Sequence, residues 1–145
     1  MLARNIMRTD VVTVSPSASV TEAAHIMRDG GIGALVVTDD ERRPVGIVTD
    51  RDIVVSTIAD HQNPDEMLLE ELMNKKLVNR KLITVNEDAD VFEILRVLSK
   101  NSIRRVPVTK SGRLVGIVSV DDMVVIVATE LTNLASALSS PSKVL

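Results

Sequence analysis

Laying residues 13–38 over residues 84–109, an offset of 71, brings eight of 26 positions into identity: Thr13/Thr84, Val14/Val85, Ala18/Ala89, Val20/Val91, Glu22/Glu93, Ile32/Ile103, Val37/Val108 and Thr38/Thr109. After a one-residue deletion, residues 43–52 lie over 113–122 with six of ten identical, Val-Gly-Ile-Val among them in both copies. The chain is therefore one unit written twice. At 145 residues it has room for one ordinary domain, or for two very small ones that must share a core. Units of this size bury too little alone, so the two should pack face to face about a pseudo-twofold axis.

Each unit reads as strand, helix, strand, strand, helix, which predicts an α/β (α+β) fold of two β-α-β-β-α units with small mixed sheets flanked by helices. Residues 11–14 form a short β-branched strand. Ser19 with Glu22 then makes a capping box, and Val20, Ala23, Ala24 and Met27 follow at i, i+3, i+4, i+7 as one apolar stripe. The second copy repeats the device with Asp90 and Glu93 as cap and Val91, Ile94, Leu95 and Leu98 as stripe. Two apolar strands joined by a polar turn come next, at 34–38 and 45–48 in the first unit and at 106–109 and 114–118 in the second. A further helix starts at Asp50 and at Val120. The later one runs to about Leu138 with Met123, Val124, Val127, Leu131, Leu134 and Leu138 on one face.

The expected organisation is thus a first repeat over 1–60, a connecting segment over 61–81, a second repeat over 82–127, and a C-terminal helix extension with a frayed tail over 128–145. Within the connection, residues 65–74 predict a short helix that matches the start of the chain, Leu72-Met73 against Ile6-Met7. The loop after it carries Lys75, Lys76, Arg80 and Lys81, a tract better read as solvated than as a phosphate clamp.

Composition removes several function classes. With no cysteine, disulfides, thiolate catalysis and cysteine-ligated metals are excluded, and two histidines, His25 and His61, leave little for a metal site or a histidine triad. A net charge of −3 argues against coating nucleic acid or an anionic membrane, and a single Phe with no Trp or Tyr removes the aromatic platform that grips single strands. The longest apolar run, 123–128, is far below the roughly 20 residues of a membrane span. With no signal-like opening segment, the expected setting is cytoplasmic.

The sharpest chemical signal is Gly46-Ile47-Val48-Thr49-Asp50-Arg51-Asp52, echoed by Gly116-Ile117-Val118-Ser119-Val120-Asp121-Asp122. In both, a buried strand ends at a hydroxyl residue, a helix begins, and a carboxylate follows three positions on. That places hydroxyl and carboxylate together at a helix mouth, where free amides also point. A ribose suits the spot, since a carboxylate accepts from vicinal hydroxyls and a hydroxyl donates or accepts. A single Thr-x-x-Asp is equally a helix cap that needs no ligand; two copies at one place in a repeat favour a site. Gly30-Gly31-Ile32-Gly33 stands before a strand, which fails the context of a phosphate loop and reads as a helix stop.

These motifs, together with the Thr-Val strands upstream of them and Ile103-Arg104-Arg105-Val106-Pro107-Val108, resemble the cystathionine β-synthase (CBS) domain family in its tandem-pair form, over about residues 5–125. The resemblance implies a regulatory module that binds adenosine-containing ligands such as AMP, ADP, ATP, S-adenosylmethionine or NAD between its repeats, and that dimerises. It makes Thr49 with Asp52, and Ser119 with Asp122, the ribose contacts of two related sites. It places the adenine against Val12, Thr13 and Val14 and against Leu82, Ile83, Thr84 and Val85. It gives Arg104 and Arg105, next to Pro107, a phosphate role in which Arg51 assists. The first copy has Gly33-Ala34 where the second has Arg104-Arg105, so the two sites should differ in phosphate preference.

The leading expectation is a non-enzymatic adenine-nucleotide sensor, a homodimer that reports to a partner enzyme or transporter. The alternative is a dimerisation scaffold with vestigial pockets. An enzyme lacks support, because no nucleophile–base pair or metal cluster is readable. Nucleic-acid binding through the 75–81 loop is weaker still.

Overall fold

The computed structural model describes residues 1–76 and 81–139. Arg80 and the tail expected to fray, from residue 140 on, lie outside the described residues. The elements in chain order are α1 (Ala3–Ile6), β1 (Thr13–Val14), α2 (Val20–Gly30), β2 (Ala34–Thr38), β3 (Pro44–Thr49), α3 (Asp50–Ile53, continued by a π-helical turn over Val54–Ile58), α4 (Leu69–Lys76), β4 (Val85–Asn86), α5 (Val91–Asn101), β5 (Arg105–Lys110), β6 (Arg113–Ser119) and α6 (Val120–Ser139).

Local signals set most of these boundaries. Ser19 Oγ accepts the Glu22 N–H at 3.0 Å while Glu22 Oε2 accepts the Ser19 N–H at 3.3 Å, which starts α2. Gly31, at φ 61°, ends it in the left-handed conformation that glycine adopts without penalty. Asp90 starts α5 by accepting the Glu93 N–H at 2.8 Å. The helix expected over 65–74 is shorter at its N-terminal end, running from Leu69. The Asn63 side chain accepts the Asp65 N–H and its carbonyl accepts the Met67 N–H, which spends residues 63–67 on a turn.

Each repeat folds into a three-stranded mixed sheet, ordered β1-β2-β3 and β4-β5-β6. β1 runs parallel to β2 and β2 antiparallel to β3, with Val14 opposite Val37; the second sheet reproduces this with Val85 opposite Val108. Even the register shift falls at equivalent places, Val37/Thr38 and Val108/Thr109. The first parallel strand covers Thr13–Val14 where the sequence suggests 11–14, although the Val12 carbonyl still accepts the Val36 N–H at 3.3 Å.

The repeats exchange their leading helices. α4 precedes the second sheet yet packs on the first, where Met67, Leu69, Leu72 and Met73 join Val20, Leu35 and Val48 in one buried cluster. α1 precedes the first sheet yet packs on the second, with Ala3 buried among Ile94, Val106 and Val118. Hydrogen bonds from Ala3 N to the Ala89 carbonyl (2.7 Å) and from Leu69 N to the Ala18 carbonyl (2.9 Å) fix both crossings. An Arg4–Asp88 ion pair accompanies the first. Glycine makes the close approach possible. A Cβ on Gly46 would lie 2.3 Å from Met73 Sδ, and one on Gly116 would lie 2.5 Å from Met7 Sδ, so the shared glycine of the repeated motif is the seat of the exchanged methionine.

α6 differs from the rest. Met123 is buried, but Val124, Leu131, Leu134 and Leu138 are 61%, 61%, 62% and 85% exposed, so the apolar face read from the sequence is largely uncovered. As a continuous 20-residue helix, Val120–Ser139 is also long and apolar enough, by length and composition, to cross a bilayer. Counting uninterrupted apolar residues misses this, because a helix tolerates isolated polar residues within an apolar average.

Candidate functional site

Two clefts open where the repeats meet, and both repeats build each of them. The first has a volume of 400 Å³ and is walled by Ile47, Thr49, Arg51 and Asp52 from the first repeat and by Lys81, Leu82, Ile83, Ile103, Arg104 and Arg105 from the second. The other, of 340 Å³, inverts the roles: Ser119, Asp121 and Asp122 come from the second repeat, while Asp10, Val11, Val12, Gly33 and Ala34 come from the first. Ile47 and Arg105 line both. Each hydroxyl-plus-acid pair thus shares its cleft with the segment that leads into the opposite repeat's sheet.

The capping geometry anticipated for a lone motif is present. Thr49 Oγ1 accepts the Asp52 N–H at 3.2 Å and Asp52 Oδ2 accepts the Thr49 N–H at 2.8 Å; Ser119 Oγ accepts the Asp122 N–H at 3.1 Å. These bonds do not seal the clefts, since all four residues still line them.

Asp122 receives Arg8: Nη2 lies 3.0 Å from Oδ1, and Nε lies 3.2 Å from Oδ2 and 3.3 Å from Oδ1. That paired guanidinium holds the Asp122 carboxyl below the usual carboxylate range, against a smaller opposing effect of burial. The Arg8 guanidinium is in turn held more firmly protonated, chiefly through the same hydrogen bonds.

The surrounding charge is inverted between the clefts. In the first, Arg51, Lys81, Arg104 and Arg105 stand against one carboxylate, Asp52. In the second, Asp10, Asp121 and Asp122 stand against Arg8 and Arg105. The inversion follows the repeat register, in which Asp10 matches Lys81, Arg51 matches Asp121, and Gly33-Ala34 matches Arg104-Arg105. An Arg104–Asp121 ion pair at 3.6 Å, exposed on both sides, links the two fields.

Of the residues singled out from the sequence, Thr49, Arg51, Asp52, Leu82, Ile83, Arg104 and Arg105 meet in the first cleft, and Ser119, Asp122, Val12 and Arg105 in the second. Thr13, Val14, Thr84 and Pro107 line neither. Thr13 and Val14 already belong to β1, Val14 is in the core, and Pro107 is buried in the middle strand opposite Ile117. The cleft takes instead the residues just before each parallel strand. Sequence reasoning missed Asp10 and read Lys81 as part of a solvated tract, whereas carrying the repeat register three residues upstream pairs the two and points to the clefts they line. It also missed Arg8, whose partner is 114 positions away.

Comparison with known proteins gives a consistent result. The family profile for the CBS domain matches residues 3–56 and 69–129. The chain is 36% identical over 119 residues to an uncharacterized protein of Methanopyrus kandleri, covering 81% of this chain and 58% of that one. It is 37% identical over 121 residues to hypoxic response protein 1 of Mycobacterium tuberculosis, covering 83% and 81% of the two. Hypoxic response protein I, solved with two coordinated zinc ions, superposes at a TM-score of 0.75 with 36% identity over 86% of this chain and 97% of that one. A CBS domain pair solved with 5′-methylthioadenosine and S-adenosyl-L-methionine superposes at 0.74 with 29% identity, over 90% and 98% of the two chains. Among the described residues of the present protein, no group of three or more His, Cys, Asp or Glu is arranged to hold a metal.

Proposed function

The chain belongs to the CBS domain family and forms a tandem pair, a regulatory module, and from that premise we propose that it is a non-enzymatic sensor of adenosine-containing ligands that signals to a partner. The observation that carries the reading is the first cleft. Its volume of 400 Å³ falls within the usual range for small-molecule sites. Thr49 and Asp52 would take the ribose hydroxyls there, Ile47, Leu82, Ile83 and Ile103 would sandwich the adenine, and Arg51, Lys81, Arg104 and Arg105 would hold phosphate. Four cations facing one sugar acid favour AMP, ADP or ATP in this cleft over S-adenosylmethionine, whose sulfonium they repel. The neighbour solved with two adenosine derivatives supports the ligand class. Because both repeats contribute walls, a bound nucleotide would fix their relative placement, and a partner enzyme or transporter would read that population.

Homodimerisation through α6 is part of the same reading. Val54 and Val55 after α3 match Val124 and Val125 on α6 in the repeat register and all four are exposed, as are Ile58 and Leu131, an apolar surface that a second copy of the chain would cover. The first turn of α6 is anchored in the globule by buried Met123 and by Asp122, which favours a cytoplasmic partner face for this helix over a membrane span.

A melting screen against AMP, ADP, ATP, S-adenosylmethionine and NAD tests the proposal. A nucleotide at 100 times its dissociation constant should stabilise the fold by roughly 2.7 kcal/mol, a rise of roughly 5–10 °C in Tm. Asp52→Ala should abolish the response to the nucleotides. A screen in which no ligand moves the transition would leave the dimeric scaffold as the better reading.

A further inference from the structure

The turn between β2 and β3 reaches across to the start of β6, a contact that the repeat does not duplicate. Asp39 holds this turn: its Oδ1 accepts the Glu41 and Arg43 N–H groups at 3.0 and 2.9 Å, and its carbonyl accepts the Arg42 N–H at 3.0 Å. Arg42 is thereby set at φ 62°, a left-handed conformation that strains any residue with a Cβ. Both its carbonyl and its side chain then engage one residue of the other repeat. The carbonyl accepts the Leu114 N–H at 2.9 Å, and Arg42 Nε donates to the Leu114 carbonyl at 3.2 Å. Leu114 is only 2% exposed, so its main-chain groups need partners, and Arg42 supplies both. In the repeat register Arg42 matches Gly112, also left-handed at φ 78°, and Leu114 matches Pro44. Glycine has no side chain to donate and proline has no N–H, so neither bond of the mate can form.

We infer that Arg42 is a positioning residue for the clefts, a one-sided clasp that fixes β6 against the first repeat and so sets the placement of the repeats on which ligand binding depends. Three residues further along the facing strands lie Ile47 and Ile117, which wall the clefts, Ile47 in both and Ile117 in the second. A shift at Leu114 therefore passes along one hydrogen-bonded strand to a cleft wall. An arginine keeps a left-handed backbone where its surroundings over-determine it, and the clasp is part of what does so. The inference rests on the reading above, that the clefts take adenosine-containing ligands, and adds a residue outside both clefts that governs their affinity.

Arg42→Gly tests this, because glycine takes the left-handed backbone without strain, keeps the carbonyl and removes only the guanidinium. Arg42→Asn, the other residue at ease at positive φ, is made in parallel so that one variant carries the test if the other fails to fold. AMP and uncharged adenosine are titrated by calorimetry into wild type and both variants. Affinity for both ligands should fall about fivefold, the change that one net hydrogen bond makes in an equilibrium. Tm should hold to within a few degrees, since relieved strain offsets the lost bond; a purely structural role would lower Tm and spare the affinity. Exchange of the Leu114 amide should quicken by a similar factor, reporting the loosened clasp. Unchanged affinity in the folded variants overturns the inference. A fall for AMP alone makes Arg42 a source of charge and not a clasp, and overturns it as well. A fall for both ligands with Leu114 exchange at the wild-type rate shows that the clasp is not the route, and the inference again fails. In each of these cases the reading of the clefts stands. If wild type binds neither ligand, that reading fails and the positioning role falls with it.

Discussion

Replacing Gly116 by alanine probes the exchanged helix directly, because the added methyl would collide with Met7 and Arg8, which follow α1 and seat it on the second sheet. Its Cβ would lie 2.5 Å from Met7 Sδ, 2.7 Å from Met7 Cγ and 2.9 Å from the Arg8 carbonyl oxygen. Carbon contacts are comfortable near 3.5–4.0 Å, so a gap of about 1 Å must open. Methionine can turn away from a methyl, but the Arg8 carbonyl is main chain and itself accepts the Ile117 N–H at 3.0 Å. Moving it strains a hydrogen bond worth about 1 kcal/mol on top of an overpacking cost of about 1–3 kcal/mol. The expected loss is about 2–3 kcal/mol, read in urea unfolding as a lowered midpoint at constant slope. At Gly46 the three nearest atoms all belong to Met73, so Gly46→Ala should cost less, about 1–2 kcal/mol. A double-mutant cycle separates the two. Met73→Ala should relieve most of the Gly46→Ala penalty, whereas Met7→Ala should relieve only part of the Gly116→Ala penalty, since the carbonyl remains. A Gly116→Ala protein within about 0.5 kcal/mol of wild type would refute the crossed docking of α1, because surface changes alone stay inside that band.

Acid should expose the Arg8–Asp122 pair. The folded-state pKa of Asp122 is depressed, so the stability it contributes is complete above the unfolded value of about 3.9 and disappears as pH falls through the folded value. Arg8→Ala should therefore flatten the stability–pH curve below about pH 4 relative to wild type, and superimposable curves in that limb would show that the pair contributes nothing. On α6, Leu131 is 61% exposed and would be covered in a twofold dimer, once from each copy. Losing about 1.5 kcal/mol per copy on Leu131→Lys should weaken association by roughly a hundredfold in sedimentation equilibrium, and an unchanged constant would remove α6 from the interface.

The amino-acid sequence was sufficient wherever the physics is local. Ser19 and Glu22, or Asp90 and Glu93, are three residues apart, so their caps are visible in any reading at helical spacing. The repeat likewise fixed the paired three-stranded sheets and placed a hydroxyl and an acid at both strand ends, since equal sequences facing equal surroundings fold alike. It also held the charge inversion of the clefts, in Asp10 against Lys81 and Arg51 against Asp121, for a register carried far enough upstream.

Tertiary structure alone decided which halves meet. Nothing in the pattern around Met7 or Met73 tells that each helix crosses to the other repeat's sheet, because both sheets offer the same glycine seat, and the choice depends on the length and path of chain between them. That crossing makes each cleft a joint product of the two repeats and carries Arg8 across 114 positions of sequence to Asp122. Short-range hydrogen bonding can be read along the chain, but contacts between distant segments exist only once burial of apolar surface has brought them together.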